Sequence, residues 1–504
     1  MAYNTKRLFI FLSVFVTVYV LFPSSGDGFD ESQPVELVDS KRSNMRKFRT
    51  AHSFINSVYY YKNSKSLGKN AVSIVMITDQ WSHNITDLPI TILAKNSTNQ
   101  ITATTRNQID GMPTCRYITT VALTNVLDNP ETLEIQDENG EVMLLPFQYA
   151  KTTAPSKVMI CISPQFAAEQ WQLFVMHVHA AKQFGAHMHI YITSIIESYY
   201  KLMLEYEKAG YITLDKWIRI KFPDPKSAYI DANPHVEWRN QAGAQTDCLM
   251  KYKEAVDYIA FFDMDDILFP KFAMNYWEEF NYMYNVRPDA TALSYGRREH
   301  EFIKPSTLDE FSFMEIVGSL KSSPLVKSGK VVIRPENYNS TWIHFTWHHP
   351  KQTRFEVESP HLVHVQRPLQ KNGNENIKQL WKMTFDQLNE TIREMDIVSI
   401  QLDFLTMKNS SHVIQEIKDG LPDSDFYLPV VFKCYYDRFY SWAFDKKEKP
   451  EGTCPNADEC HLPQRPEYPC IHSDASYFSG PKMTPISYHY ATDMVWTDQI
   501  GCYQ

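Results

Sequence analysis

The stretch Tyr258-Ile-Ala-Phe-Phe-Asp-Met-Asp-Asp-Ile-Leu-Phe-Pro270 decides the reading of this chain. Residues 258–262 form a continuous apolar run of the kind buried on both faces of a parallel sheet, and it ends in Asp263, Asp265 and Asp266. Toward the N-terminus the pattern alternates. Residues 240–252 have helical spacing, 211–220 read as a strand, 196–209 as a helix and 189–193 as a strand. A helix over 169–184, with Leu173, Met176 and Ala180 on one face, follows an opening apolar strand at 158–163. This alternation predicts an α/β fold built on a doubly wound sheet with right-handed crossovers, whose ligands sit at the carboxyl ends of strands. The acidic triplet falls at such an end.

Carboxylates crowded at the end of a buried strand repel one another and lose hydration unless cations or strong donors neutralise them. A divalent cation resolves this. Oxygen ligands suit Mn²⁺ or Mg²⁺, whose octahedral shells are readily completed by water and phosphate oxygens, so a diphosphate-bearing ligand is expected beside Asp263 and Asp265. A bare Asp-x-Asp is a weak motif. Its weight here comes from the apolar strand before it, Ile-Leu-Phe-Pro after it and three strand-helix units upstream.

Four blocks carry a family resemblance: Val158-Met-Ile-Cys-Ile-Ser-Pro164, Trp238-Arg-Asn-Gln-Ala-Gly-Ala-Gln-Thr-Asp-Cys-Leu249, Phe261-Phe-Asp-Met-Asp-Asp-Ile-Leu-Phe-Pro270 and Lys330-Val-Val-Ile-Arg-Pro-Glu336. Together, over roughly 155–370, they resemble the family 92 glycosyltransferases, once catalogued as a domain of unknown function. The resemblance implies a GT-A-type sheet, an inverting mechanism, a Mn²⁺-dependent UDP-sugar donor and Golgi residence. It further implies galactose as the sugar, with β1,4-linkage to the core fucose of N-glycans as the specific expectation. Glu often stands in the family at the position of Asp266, a change that leaves the metal chemistry intact.

Asp263 and Asp265 are the expected metal ligands, with His364 as the third because the family typically carries a His followed closely by an Arg there; His344 is the competing choice. Ser163, Asn240, Asp247, Asp263 and Arg367 are the expected contacts to the nucleotide sugar. Asn240 and Asp247, seven residues apart, share a helix face, although capping or structural hydrogen bonding explains them equally well. The base that deprotonates the acceptor hydroxyl is sought among Asp266, Glu299 and Glu301, for which a solvated face is the competing reading.

The rest of the chain sets the compartment. Lys6 and Arg7 precede an apolar run at 8–22, read as an uncleaved signal-anchor in preference to a cleaved signal peptide, with residues 1–7 cytoplasmic and the remainder luminal, which makes a single-pass type II Golgi membrane protein the expectation. Sequons at Asn84, Asn96, Asn339, Asn389 and Asn409, and eight cysteines with five in the last seventy or so residues, agree with that address. The expected plan is a polar stem at 23–68, a β-rich accessory unit at 69–150, the catalytic domain at 151–424 and a disulfide-rich, aromatic-rich extension at 425–504. Tyr435, Tyr436, Phe439, Tyr440 and Trp442 give that extension a surface on which a glycan acceptor could stack, or else a stapled core. A disulfide between Cys161 and Cys248 is open to the fold, and zinc is disfavoured because no Cys-x-x-Cys pair occurs. A net charge of -9 argues against nucleic acid as a partner.

Two other classes remain at this stage. A haloacid-dehalogenase-like phosphohydrolase also ends an apolar strand in Asp-x-Asp, but normally on its first strand, with Thr or Val where this chain has Ile267. A secreted lectin-like binding protein would keep the fold and degrade the metal site.

Overall fold

The computed structural model describes residues 51–502 except 83–87, 112, 113, 225, 227, 345, 347, 348, 350–352, 371–385, 388–391, 442–453, 457, 459 and 461; of residues 110, 228, 323–328, 358–370, 386, 387, 439 and 440 it describes the backbone alone. The apolar run at 8–22, the sequons at Asn84 and Asn389, and Trp442 lie outside the described residues. Among the described residues no helix is long and apolar enough to cross a membrane.

The strand Val158–Gln165 runs parallel to Ala186–Ile192 on one side and to Tyr258–Phe262 on the other, and Ile212–Lys216 extends the parallel set outward. Its side chains alternate in the manner of a strand covered on both faces. Val158, Ile160 and Ile162 enter one core with Trp171, Phe174 and Tyr206, whereas Met159 and Cys161 enter another with Leu249 and Phe261. The helices Trp171–Gln183 and Glu197–Lys208 cover the first face and Gln241–Tyr252 covers the second. The expected strand at 211–220 is shorter: it ends at Lys216, and Lys221–Asp224 forms a separate hairpin with Ala228–Asp231.

Beyond Tyr258–Phe262 the sheet turns antiparallel through Lys321–Ile333 and Ala292–Lys304, and Arg354–Gln370 and Asp266–Leu268 complete that side. The strand order reverses at Val158–Gln165, so a crevice opens beyond the carboxyl ends of that strand and Tyr258–Phe262. This is the GT-A arrangement expected for the catalytic unit.

The two ends of the chain depart from the expected plan. Ala51–Ser64, read as part of a polar stem, lies inside an eight-stranded sheet, antiparallel to Gly68–Asp79 and parallel to Ile486–Thr497. Phe54, Val58, Tyr59, Tyr60 and Tyr61 are buried there, so this is core strand. Cys470–Ser479 joins the same sheet and pairs with Ser194–Ile196, which ties the C-terminal segment to the N-terminal sheet and the catalytic unit together. A four-stranded sheet of Thr91–Lys95, Gln100–Thr104, Thr132–Gln136 and Val142–Leu145 shares a core with it through Ile92, Ile135, Val72 and Ile74.

All eight cysteines form disulfides. Cys161–Cys248 joins the opening strand to its covering helix, Cys434–Cys460 and Cys470–Cys502 close loops within the tail, and Cys115–Cys454 binds the tail to the N-terminal sheet.

Candidate active site

The site grows from two strand ends that lie side by side. Ser163 leaves the opening strand and Asp263 leaves Tyr258–Phe262, where the turn closes with Asp266 N–H donating to the Asp263 carbonyl at 3.1 Å. One carboxylate oxygen from each of Asp263, Asp265 and Asp266 lies within 4.8 Å of the others. Ser163 Oγ donates to Asp263 Oδ1 at 2.5 Å, and Gln241 Nε2, on the first turn of the covering helix, donates to the same oxygen at 3.0 Å. The other oxygen, Oδ2, accepts from the Lys330 ammonium at 2.5 Å. Burial pushes the Asp263 carboxyl up, but the Lys330 charge and the Lys330 and Ser163 hydrogen bonds outweigh it and hold the group well below the usual carboxylate range.

Asp266 is fully buried and takes no part in lining the crevice. Lys330 Nζ lies 3.7 Å from its Oδ2 and Arg297 Nη1 lies 3.8 Å from its Oδ1. Burial alone would lower the Arg297 pKa, yet the nearby carboxylates, Asp266 foremost, raise it. Behind the triplet, the Nδ1–H of His177 donates to the Met264 carbonyl at 3.2 Å, and burial pushes that imidazole down to about 4. It is therefore neutral at ordinary pH and buttresses the loop.

In front of the triplet is a cavity of about 270 Å³. Asp263, Met264 and Asp265 form one wall, residues 163–170 its floor, and Trp238, Arg239 and Gln241 a second wall. The tail supplies the rim through Tyr427, Leu428, Val431 and Tyr435. The Trp238 and Tyr435 rings stack with centroids 5.9 Å apart, and the Arg239 guanidinium lies 4.0 Å from the centre of the Phe166 ring. Trp238, Arg239 and Asn240 all hold left-handed backbone, with φ of 44°, 53° and 63°, which non-glycine residues adopt at a cost and which concentrates at functional sites. Glu169 anchors the rim. Its carboxylate accepts N–H bonds of 2.8–3.0 Å from Phe426, Tyr427 and Leu428, capping the helix Tyr427–Tyr435, and Arg465 Nη1 lies 3.3 Å away.

The residues expected from the sequence are distributed unevenly. Ser163, Asp263 and Asp265 meet at the cavity. Asn240 abuts it but is 5% exposed and folds back over its own helix, so that a methyl group on Gly243 would lie 2.0 Å from Asn240 Oδ1. Asp247 differs from expectation: its carboxylate accepts from Tyr59 at 2.8 Å and from Tyr191, one helical turn and a half beyond the crevice. It fastens the covering helix to the N-terminal sheet. Glu299 and Glu301, expected as bases, are 2% and 3% exposed, and neither lines the cavity where an acceptor hydroxyl could meet it. Glu301 has Lys321 at 3.9 Å. His364 pairs by backbone with Asp266 and Glu299, and Arg367 with Glu301; their side chains are outside the description. His344 comes close to the cluster, its Nδ1–H donating to the Gly329 carbonyl at 2.7 Å, and burial, with Lys330 and Arg297 nearby, holds it neutral.

Lys330, Arg297, Gln241 and Glu169 were not singled out by residue pattern. Lys330 and Gln241 stand inside the motif blocks quoted above, which was the available signal. Glu169 meets its partners 257 or more residues away in sequence, and no local pattern announces that.

The carboxylate set fits a divalent cation. Asp265 opens on the cavity, and its oxygen and those of Asp263 and Asp266 all lie within 4.8 Å of one another, a grouping of hard oxygen ligands suited to one divalent ion. An acidic cluster at the switch point of a GT-A sheet, facing a cavity with an aromatic wall, defines a glycosyltransferase site.

The comparisons agree. The model of glycosyltransferase family 92 matches residues 156–408. Over 504 residues the chain is 54% identical to glycosyltransferase family 92 protein ZK381.2 of Caenorhabditis elegans, covering 99% of each. It is 36% identical to protein F55C10.4 of the same family and organism, covering 100% of this chain and 99% of the relative. This chain belongs to glycosyltransferase family 92. Among solved structures, Staphylococcus aureus TarS 1-349 with UDP-GlcNAc aligns at 8% identity and a TM-score of 0.24, over 58% of this chain and 76% of that one. The galactosyltransferase LgtC with donor and acceptor sugar analogs aligns at 11% identity and a TM-score of 0.18, over 36% and 59%. Those likenesses are faint. The fold assignment rests on this chain's own strand order; family membership sets aside the phosphohydrolase reading, and the intact acidic triplet argues against the lectin-like one.

Proposed function

We propose that this enzyme transfers galactose from UDP-galactose, with inversion, to the core fucose of an N-glycan in β1,4-linkage, and that it does so in the Golgi lumen, held to the membrane by residues 8–22. The observation that carries the reading is the cavity in which Asp263 and Asp265 face Trp238 and Tyr435 across the end of the opening strand. An aromatic pair suits a uracil ring or the apolar face of a sugar, and the carboxylates suit a cation that holds a diphosphate. Bound Mn²⁺ or Mg²⁺ would offset the charge that develops on the departing diphosphate.

The chain's own residues supply the rest. Ser163 and Gln241 fix the Asp263 carboxylate in one orientation, and His177 holds the intervening Met264 peptide. The donor is thereby met by a pre-oriented acidic wall, which avoids reorganisation during the reaction. His364 and Arg367 remain the proposed third ligand and diphosphate contact; the base stays proposed among Asp266, Glu299 and Glu301, all buried outside the cavity lining, so that acceptor binding would have to bring one of them to the hydroxyl.

The test is transfer from a panel of labelled UDP-sugars to fucosylated and nonfucosylated N-glycans, with Mn²⁺ and with a chelator. Mn²⁺-dependent transfer from UDP-galactose to the fucosylated glycan is the expected result. Preferential use of UDP-N-acetylglucosamine refutes the donor, and equal use of both glycans refutes the acceptor.

A further inference from the structure

Lys330 stands where a bound cation would compete for it. Its side chain is 1% exposed, and its ammonium is placed between Asp263 and Asp266 at 2.5 and 3.7 Å. Asp263 Oδ1 is already taken by Ser163 and Gln241, so Oδ2 is the oxygen available for coordination, and Lys330 occupies it. An ammonium at hydrogen-bond distance from Oδ2 repels a divalent ion coordinated to the same oxygen, so the two compete electrostatically for it.

The strand geometry makes this placement specific. Register between Ala292–Lys304 and Lys321–Ile333 shifts between Tyr295, opposite Lys330, and Arg297, opposite Lys327. Such a bulge re-aims side chains, and here both Lys330 and Arg297 meet the triplet. A methyl group at Gly329 would lie 1.5 Å from the Tyr295 carbonyl oxygen, so the backbone before Lys330 lies tight against the neighbouring strand and a change at Lys330 falls to its long side chain. A four-carbon stem with a compact ammonium is suited to that.

Charge gives the movement a direction. Counting only Asp263, Asp265, Asp266, Lys330 and Arg297 among the described residues, three carboxylates facing two cations leave one negative charge. A divalent ion alone would overshoot to positive, and a diphosphate arriving with it restores a small negative total. Like-charge repulsion between the ion and Lys330 opposes the metal alone and is relieved once a diphosphate accepts the ammonium.

We propose that Lys330 is an internal counter-ion that competes with the divalent cation for Asp263 and passes to the donor's diphosphate when cation and nucleotide bind together. This rests on the reading above that the triplet takes a metal and a nucleotide sugar. It makes metal and donor binding mutually dependent, with Lys330 a positioning residue in the free enzyme and a direct phosphate contact in the complex.

The experiment titrates Mn²⁺ by electron paramagnetic resonance into the full-length protein and its Lys330→Met and Lys330→Arg variants, with and without UDP. Removing the competitor in Lys330→Met is expected to tighten Mn²⁺ alone by about tenfold and to weaken UDP at saturating Mn²⁺ by a similar factor. Lys330→Arg, whose bidentate fork grips Asp263 more firmly, is expected to weaken Mn²⁺ alone several-fold. If Lys330→Met does not fold, Lys330→Arg decides by itself. Mn²⁺ affinity unchanged in the folded variants, or weakened in Lys330→Met, overturns the proposal and leaves Lys330 a fixed structural cation. Failure of the wild-type protein to bind Mn²⁺ even with UDP would instead overturn the metal reading on which the proposal stands.

Discussion

The parallel half of the catalytic sheet and its antiparallel half make opposite contributions to one site. The parallel strands Val158–Gln165 and Tyr258–Phe262 deliver Ser163 and the acidic triplet from their carboxyl ends. The antiparallel pair, Ala292–Lys304 and Lys321–Ile333, delivers the cations Arg297 and Lys330 from mid-strand, through a register shift. The difference teaches that a strand end can present side chains to a site without special register, because the chain turns there and neighbouring strand ends face the same crevice. A mid-strand residue reaches the site only if pairing, bulge and neighbouring glycine agree.

The contrast breaks most directly at its acidic pole. Asp265→Ala is expected to lower kcat/KM for sugar transfer by about 10²–10³-fold or more, with thermal stability unchanged, since Asp265 faces the cavity. Steady-state kinetics beside a melting curve check this; a loss under tenfold would remove Asp265 from the site. On the antiparallel side, Gly329→Ala is expected to cost about 3 kcal/mol of stability because its methyl group meets the Tyr295 carbonyl and the strands must part. Urea unfolding measures it, and a wild-type midpoint would show that the register is not clamped there.

Smaller effects sharpen the same comparison. Replacing Cys161 and Cys248 together by Ser removes the staple between the opening strand and its helix and is expected to lower stability by about 2–4 kcal/mol. Donor KM should rise with it, since Gln241 and Ser163 stand on the two stapled elements. Asp247→Asn keeps shape while weakening the bonds from Tyr59 and Tyr191, with about 1–2 kcal/mol of stability lost and donor KM unchanged. A raised KM without loss of stability would return Asp247 to the nucleotide site.

Legibility followed the same division. The alternation of buried faces in 158–162 and the run 258–262 were visible because parallel strands covered on both sides need apolar residues at every position. Asp263 and Asp265 were visible because carboxylates rarely follow such a run without a function. Ala51–Ser64 was not: its Asn, Ser and Lys residues mask a strand held between its neighbour Gly68–Asp79 and Ile486–Thr497, the latter more than four hundred residues away. Lys330 was quoted within a motif without a role, since nothing local says that its ammonium faces Asp263. Asp247 shared a helix face with Asn240 in the sequence, but distance along that face carried it to the N-terminal sheet.

By itself the sequence determined the fold class, the strand on which the acids ride, the family and the presence of disulfides in the tail, because each is written in residue type and local period. Only the tertiary structure decided which groups neutralise the triplet, that Asp247 serves the sheet interface, that Tyr435 of the tail meets Trp238 over the cavity, and that the chain's two ends share a sheet. Those are contacts between segments far apart in sequence, fixed by register, packing and the pairing of buried charge.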